Sequence, residues 1–445
     1  MKKYLSLFFL LFGFSYCFSQ KKSIVTISGF AYNFNNAVTV EDKSELEDLT
    51  IAGTERIFIA DSNHKFNIQF QLEKANYFRI GRNILYISPG DSMMVSIDFL
   101  DPKKAQFSGN HFVENNYLTA TPYPNGGSYL EAGDSIKASV EKTIQFILGK
   151  GKARQTELDK IKGYVDAEFY RLESVRIKAD MINSMRDQNL SIYYEWAHKT
   201  PKDSISMLRK QIELLTAYSL KKLSVDMVDP ANLKLAVYRN VLPIIQKNQP
   251  VSFKSPTDIV DWEKGSEIKR KAVSLENKEA IVVLKKDAEN IKNTQYRNIV
   301  IGTIDQLTKL NTGDVAKEIE LTNVSGKKTA LSSFKNKVIY LEFWATWCGP
   351  CLQEKPAMEE LINTFKGNDS VVILSVSIDE DPIKWKNYLV KHSKNSHEYI
   401  VDRVMLKDYN LIGVPRMVLI DKNFKIVLLN APGPRSKQLK ELLKQ

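Results

Sequence analysis

Cysteine is scarce in this chain, with three residues among 445, at positions 17, 348 and 351. A secreted domain stapled by structural disulfides would show several spread pairs, so that class is excluded. Histidine is equally sparse, at five residues, and none stands at a metal-ligand spacing beside a second Cys pair; no metal is expected. The one strongly apolar run near the start, residues 5–14, holds roughly ten residues where a membrane span needs about 20. The formal charge of +11 has no zinc finger, RNP aromatic pattern or basic arm to go with it. Its lysines are scattered along helical stretches such as 269–278 and 285–292, among Glu and Asp, as on solvated helix faces, so nucleic acid is not an expected partner. No repeat of fixed length runs through the sequence.

The length does call for more than one core, because a single core stops growing at roughly 250–300 residues. Apolar and charged shares of 43% and 26% are ordinary for globular domains. The first residues stand apart: Lys2 and Lys3, the apolar run, then Ser15 to Gln20. That order describes a secretory signal spanning residues 1–19, with Cys17 and Ser19 at the −3 and −1 positions of the cut and Gln20 as the new N-terminus. Lipid attachment at Cys17 is disfavoured by the bulky Phe14 and Tyr16 before it. The protein is thus expected to be exported, and the processed chain keeps Cys348 and Cys351 alone.

Three regions follow. Residues 20–125 carry short alternating runs at 24–27, 56–59, 66–70, 77–80, 84–87 and 94–97, with a Ser88-Pro89-Gly90-Asp91 turn, and predict an antiparallel β-sandwich. Over residues 126–310 the period becomes helical, with Ile136, Val140, Ile144 and Ile147 on one face, and Val165, Phe169, Leu172 and Val175 on another. Residues 311–445 alternate strands (338–344, 371–378, 416–420, 425–429) with helices (351–365, 383–392, 436–444), predicting an α/β layer with a mixed sheet.

Chemistry concentrates in Trp347-Cys348-Gly349-Pro350-Cys351. The run follows a buried strand, and Pro350 suits the first turn of a helix. A thiol at a helix N-terminus faces unpaired N–H groups and the positive end of the dipole, which favour thiolate. Cys348 is therefore the expected nucleophile. Cys351, one turn along and facing the sheet, is placed to attack a mixed disulfide formed on Cys348. A purely structural bond closing so small a ring would gain little.

The stretch from Phe343 to Cys351 resembles the active-site run of thioredoxins. Its flanks resemble the TlpA-like and ResA-like branch of exported thioredoxins: residues 331–337 before the strand, Glu354 and Pro356 after the second Cys, and Ser377-Ile378-Asp379 ending the next strand. Residues 85–91 and 107–110 are similar to a β-rich extension that many TlpA-like proteins of Bacteroidota carry. The resemblance implies a thioredoxin fold at the C-terminus and a thiol-disulfide oxidoreductase needing no cofactor. It implies that Glu342 is the buried acid that takes and returns the proton of the inner thiol. It also implies that Gly413-Val414-Pro415 is a cis-proline loop, and that Trp347, Gly349, Pro350, Val414 and Pro415 form the docking surface. Glu354 would tune the site and Pro356 would kink the helix. Gly-Pro between the cysteines resembles the reducing type, near about −270 mV, more than the oxidising type near about −120 mV. A periplasmic reductase acting on a disulfide-containing protein substrate then requires a membrane thiol-disulfide electron donor; keeping apocytochrome c cysteines reduced is one known task of the family. The rival readings are a disulfide oxidase or isomerase, and a surface-ligand binding module with an accessory redox domain.

Overall fold

A computed structural model describes residues 23–33, 37–51, 55–59, 61, 63–120, 127–198, 202–275, 278–379, 382–392, 397–402, 406, 409–411 and 413–444. The expected signal, its cut after residue 19 and Cys17 lie outside these residues. Among the described residues, no helix is long and apolar enough to cross a membrane.

The front region forms two four-stranded sheets sharing one core of alternating side chains such as Val25, Ile27, Ile68, Phe78, Leu85 and Val95. One sheet orders β4 (Lys65–Leu72), β1 (Ser23–Tyr32), β7 (Ser92–Asp98) and β8 (Gln106–Gly109). The other orders β3 (Glu55–Ile59), β2 (Ala37–Asp42), β5 (Asn76–Ile80) and β6 (Asn83–Ile87). The sandwich is not wholly antiparallel, because β1 and β7 pair in parallel. A parallel pair needs a long crossover, and the second sheet is threaded through that connection; alternation within each strand carries no trace of its partner's direction. Gly29 marks the close approach. A Cβ there would lie 1.8 Å from the Val95 carbonyl oxygen. At the 88–91 turn Gly90 takes φ 87° and the Ser88 amide is held by Asp91 Oδ2 at 2.7 Å.

Helix begins earlier than the sequence pattern indicates, with α1 (Phe112–Leu118), too short to show a period. Then come α2 (Val140–Ile161), α3 (Ala167–Ser184), α4 (Asp187–His198), α5 (Ile205–Ser224), α6 (Ala236–Lys247), α7 (Thr257–Ser274), α8 (Lys278–Glu289) and α9 (Thr294–Leu307). Their core also takes in Leu49, Tyr77 and Tyr86 from the front region. The connection is polar as well. The buried Arg239 guanidinium reaches Asp48 and Glu47 at 2.5 Å each, and donates to the Leu233 carbonyl at 2.7 Å. Trp262 Nε1 and Thr303 Oγ1 donate to the carbonyls of Glu45 and Leu49 at 3.1 Å.

The last region is a seven-stranded mixed sheet, ordered β10 (Lys328–Ala330), β9 (Glu320–Asn323), β13 (Glu398–Ile400), β12 (Val371–Ser377), β11 (Val338–Trp344), β14 (Arg416–Ile420) and β15 (Ile426–Leu428). Strands β11, β12 and β13 run parallel, joined through α10 (Gly349–Thr364) and α11 (Pro382–His392). Both steps move the same way across the sheet, so right-handed crossovers put both helices on one face. Every residue of β11 and β12 is buried. The short α12 (Lys437–Leu442) adds Leu439 to the core formed by Tyr340, Met358 and Leu361. The expected classes are all present: sandwich-like sheets, a helical middle and a thioredoxin fold at the C-terminus.

A charged knot joins the sandwich to the helices. His111 Nδ1 lies 3.1 Å from Glu114 Oε1, its Nε2 lies 3.7 Å from Asp91 Oδ2, and Glu114 Oε1 accepts the Asp166 amide at 2.9 Å. The hydrogen bond to Glu114, and the charge of Asp91, raise the His111 pKa above its ordinary value against the opposing effect of burial. A raised folded-state pKa gives stability that is fully present below the unfolded value of about 6.5 and is lost as pH rises through the folded value. Replacing His111 by Gln should therefore lower the thermal midpoint at pH 6 more than at pH 9. Melting curves of both proteins across that range check it, and an equal loss at the two ends would refute it.

Candidate active site

Strand β11 ends at Trp344, and four residues later the chain turns into α10. Cys348 is the residue immediately before the helix, and its sulfur accepts the Cys351 amide at 3.2 Å. A sulfur thus occupies the capping position usually held by a Ser or Asp oxygen, where an orphan N–H and the helix dipole favour negative charge. Cys348 and Cys351 are joined as a disulfide. Cys351 is fully buried, whereas Trp347 is 63% exposed beside the sulfurs. Pro350 falls in the first turn, and Gly349 has open space where a Cβ would be.

The turn carrying Cys348 is fastened from below. Asp379 accepts the Thr346 amide at 2.9 Å and the Thr346 hydroxyl at 2.7 Å, and it also accepts the Ser377 hydroxyl at 2.6 Å. The Ile378 amide donates to the Trp344 carbonyl at 2.8 Å, so β12 and its end clamp the entire approach to the helix. Opposite the sulfurs, the Val414–Pro415 bond is cis and the Val414 carbonyl oxygen stands 3.5 Å from Cys348 Sγ. Gly413, Val414 and Pro415 are partly or fully exposed.

Beneath α10 lies a row of polar side chains across three strands. Register pairs Glu342 of β11 with Ser375 of β12, and Ser375 with Glu398 of β13. From above, Lys355 of α10 places Nζ 2.5 Å from Ser375 Oγ, 3.3 Å from Glu342 Oε2 and 3.4 Å from Glu398 Oε1. The same ammonium stands 3.4 Å from the centre of the Trp344 ring. Ser375 Oγ also donates to Glu342 Oε2 at 2.7 Å. Burial pushes the Glu398 carboxyl up, the charge of Glu342 adds to this, and Lys355 opposes it.

Of the residues expected from sequence, Cys348, Cys351, Trp347, Gly349, Pro350, Val414 and Pro415 converge at one surface, and Glu342 lies in the core below it. Glu354 is drawn elsewhere: it pairs with Arg435 at 3.1 Å on the helix rim, while Arg435 also donates to the Gln353 carbonyl at 2.8 Å. Pro356 sits inside an uninterrupted α10, exposed, where it removes one backbone donor from the ladder. Sequence reasoning did not assign roles to Asp379, Lys355, Ser375 or Glu398. Lys355 carried a signal: Cys351, Lys355, Met358 and Leu361 share the buried face of α10 by helical spacing, and a cation on that face needs a partner.

Asp379 is 6% exposed, so removing it strands the donors of the partly buried Thr346 and the buried Ser377. Asp379→Ala should cost about 1–3 kcal/mol in urea unfolding and slow the reaction of Cys348 with an aromatic disulfide. Unchanged stability together with an unchanged rate would show that the clamp has no role.

The Redoxin family model matches residues 311–443. Over 146 residues the chain is 34% identical to the thiol-disulfide oxidoreductase ResA of Bacillus cereus, covering 32% of this chain and 83% of that protein. Over 132 residues it is 29% identical to the thioredoxin-like protein YneN of Bacillus subtilis, covering 29% of this chain and 78% of the other. A solved Bacteroides vulgatus protein described as a thiol-disulfide oxidoreductase shares 41% identity, with 31% of this chain and 97% of that one covered and a TM-score of 0.30. The family model falls on the region whose helix is capped by a cysteine sulfur, and the chain belongs to the TlpA-like and ResA-like family of thiol-disulfide oxidoreductases.

Proposed function

We propose that the protein is an exported disulfide reductase working through Cys348-Gly349-Pro350-Cys351 on protein substrates. The observation that carries this reading is the Cys348 sulfur seated at the N-terminus of α10, hydrogen-bonded by the Cys351 amide and bordered by Trp347 and the Val414 carbonyl. In the reduced protein the same amide and dipole favour the Cys348 thiolate. An extended substrate segment adds beside Val414, its backbone pairing there as an extra strand, while Trp347 supplies apolar contact.

The exchange has two steps. The Cys348 thiolate attacks one substrate sulfur; the substrate S–S bond breaks, the departing sulfur leaves as thiolate and takes a proton, and a mixed disulfide remains. Cys351 then gives its proton to Glu342 and attacks Cys348 Sγ, releasing the second substrate thiol. Two electrons pass from the dithiol to the substrate, and the enzyme is left with the Cys348–Cys351 disulfide. Restoring the dithiol outside the cytoplasm calls for a membrane thiol-disulfide donor. Support for export comes from the order of charge, apolar run and small residues over positions 1–19.

Replacing Cys351 by Ser should halt the cycle at the mixed disulfide, leaving a covalent partner on Cys348 that dithiothreitol releases; Cys348→Ser should capture nothing. The equilibrium with glutathione should place the pair near about −270 mV. A potential near about −120 mV would turn the assignment to an oxidase, and the absence of any adduct on the Cys351→Ser variant would end it.

A further inference from the structure

Helix α5 is apolar on two opposite faces. Its inner face places Ile212 in the helical core, with Leu208, Leu215 and Leu223 packed against that core. On the outer side, at 3.6 residues per turn, Met207, Leu214 and Tyr218 fall within about 40° of one another. They are 75%, 79% and 78% exposed. A lone apolar side chain on a surface is ordinary, but a stripe of about 16 Å turned away from the core is not accounted for by packing. Val225, just past the helix, is exposed as well. Residues 250–254 adjoin this end of α5, held there by Gln249, whose Nε2 donates to the Ser224 carbonyl at 2.9 Å. Val251 in that loop is fully exposed.

The free charges around the stripe have one sign. Glu213, the single acid of α5, is taken by Lys247 of α6 at 3.4 Å. By helical spacing Lys210 and Lys221 fall on one flank of the stripe and Lys222 on the other. All three are exposed and, among the described residues, meet no carboxylate. Lys254 adds an exposed cation on the adjoining loop. Lys221 and Lys222 suit the C-terminal end of a helix dipole, but Lys210, in the second turn, gains nothing from it.

This combination selects the partner. A second copy laid along the stripe would set lysines against lysines, with no free acid on α5 to receive them. An anionic lipid surface meets both demands. Its acyl boundary takes up the apolar side chains, and the lysine stems lie along it with their ammonium groups at the phosphates.

We propose that the outer face of α5, with the 250–254 loop beside it, seats the protein on a membrane containing anionic phospholipid. Met207, Leu214 and Tyr218 enter the interface, and Lys210, Lys221 and Lys222 meet the headgroups. The helix rests on the bilayer and does not cross it. This surface belongs to the helical region and does not depend on the exchange reading; where that reading holds, the attachment keeps the redox region beside the membrane donor it calls for.

Flotation with vesicles tests the surface, using the processed chain from Gln20 onward. The protein should rise with vesicles of phosphatidylcholine and phosphatidylglycerol, stay behind with phosphatidylcholine alone, and come off the anionic vesicles as sodium chloride reaches about 0.5 M. Leu214→Ser combined with Tyr218→Ser should weaken the binding by about tenfold or more, and so should Lys221→Glu combined with Lys222→Glu. The replaced side chains are exposed, so both variants should keep the wild-type circular dichroism and the wild-type rate with dithiobis(nitrobenzoate). Should one of them not fold, the other decides. Equal binding to neutral and anionic vesicles, no binding by the wild-type protein at low salt, or undiminished binding by a folded double variant overturns the proposal. A wild-type dimer in sedimentation equilibrium that the Leu214 and Tyr218 replacements split into monomers gives the stripe to a second copy and overturns it too. Vesicle binding by a protein that fails to react with dithiobis(nitrobenzoate) upholds the surface and counts against the exchange reading alone.

Discussion

One sulfur takes the place of a cap. A helix must satisfy its first amides, and α10 does so by committing the Cys348 sulfur to the Cys351 amide. The remainder of the C-terminal region is arranged to hold that single contact in place. Strand β11 is buried on both faces and delivers the turn, Asp379 fastens the turn to the end of β12, and the cis-proline loop brings a carbonyl to 3.5 Å from the sulfur. Ordinary helix physics thus favours a nucleophile at this position.

The demands on the two cysteines differ, and the structure separates them by depth. Cys348 is 5% exposed and stands next to an exposed tryptophan. Cys351 is fully buried, on the helix whose Lys355 meets a polar row laid across three parallel strands. Such a row is costly, since each strand contributes a group that an apolar core would not tolerate unpaired. Lys355 makes it tolerable by contacting all three members. The desolvated ion pair is poor as a source of stability.

The remaining two-thirds of the chain is joined together by buried polar contacts rather than by a flexible linker. Arg239 binds the segment around Glu47 and Asp48, and the cores of the sandwich and helices interlock through Leu49, Tyr77 and Tyr86. A further polar link reaches the redox region, where Asn410 donates to the Leu307 carbonyl at 3.1 Å.

The sequence was enough to read the Cys-Gly-Pro-Cys turn, the three regions, and the α/β pattern with its long buried strands. These are local signals: periods of two and 3.6, a proline at a first helical turn, two thiols one turn apart. It did not reveal the parallel pairing of β1 with β7, the three-residue β13, or the link from Glu354 to Arg435. Glu342 could be singled out as an acid in an apolar strand, but its company could not. Ser375 and Glu398 are 33 and 56 positions away along the chain, and only the register of β11, β12 and β13 sets them in line beneath Lys355. Charge in a low-dielectric interior depends on neighbours a few ångströms away, and those neighbours are chosen by strand pairing and helix crossover, which no local run of residues specifies.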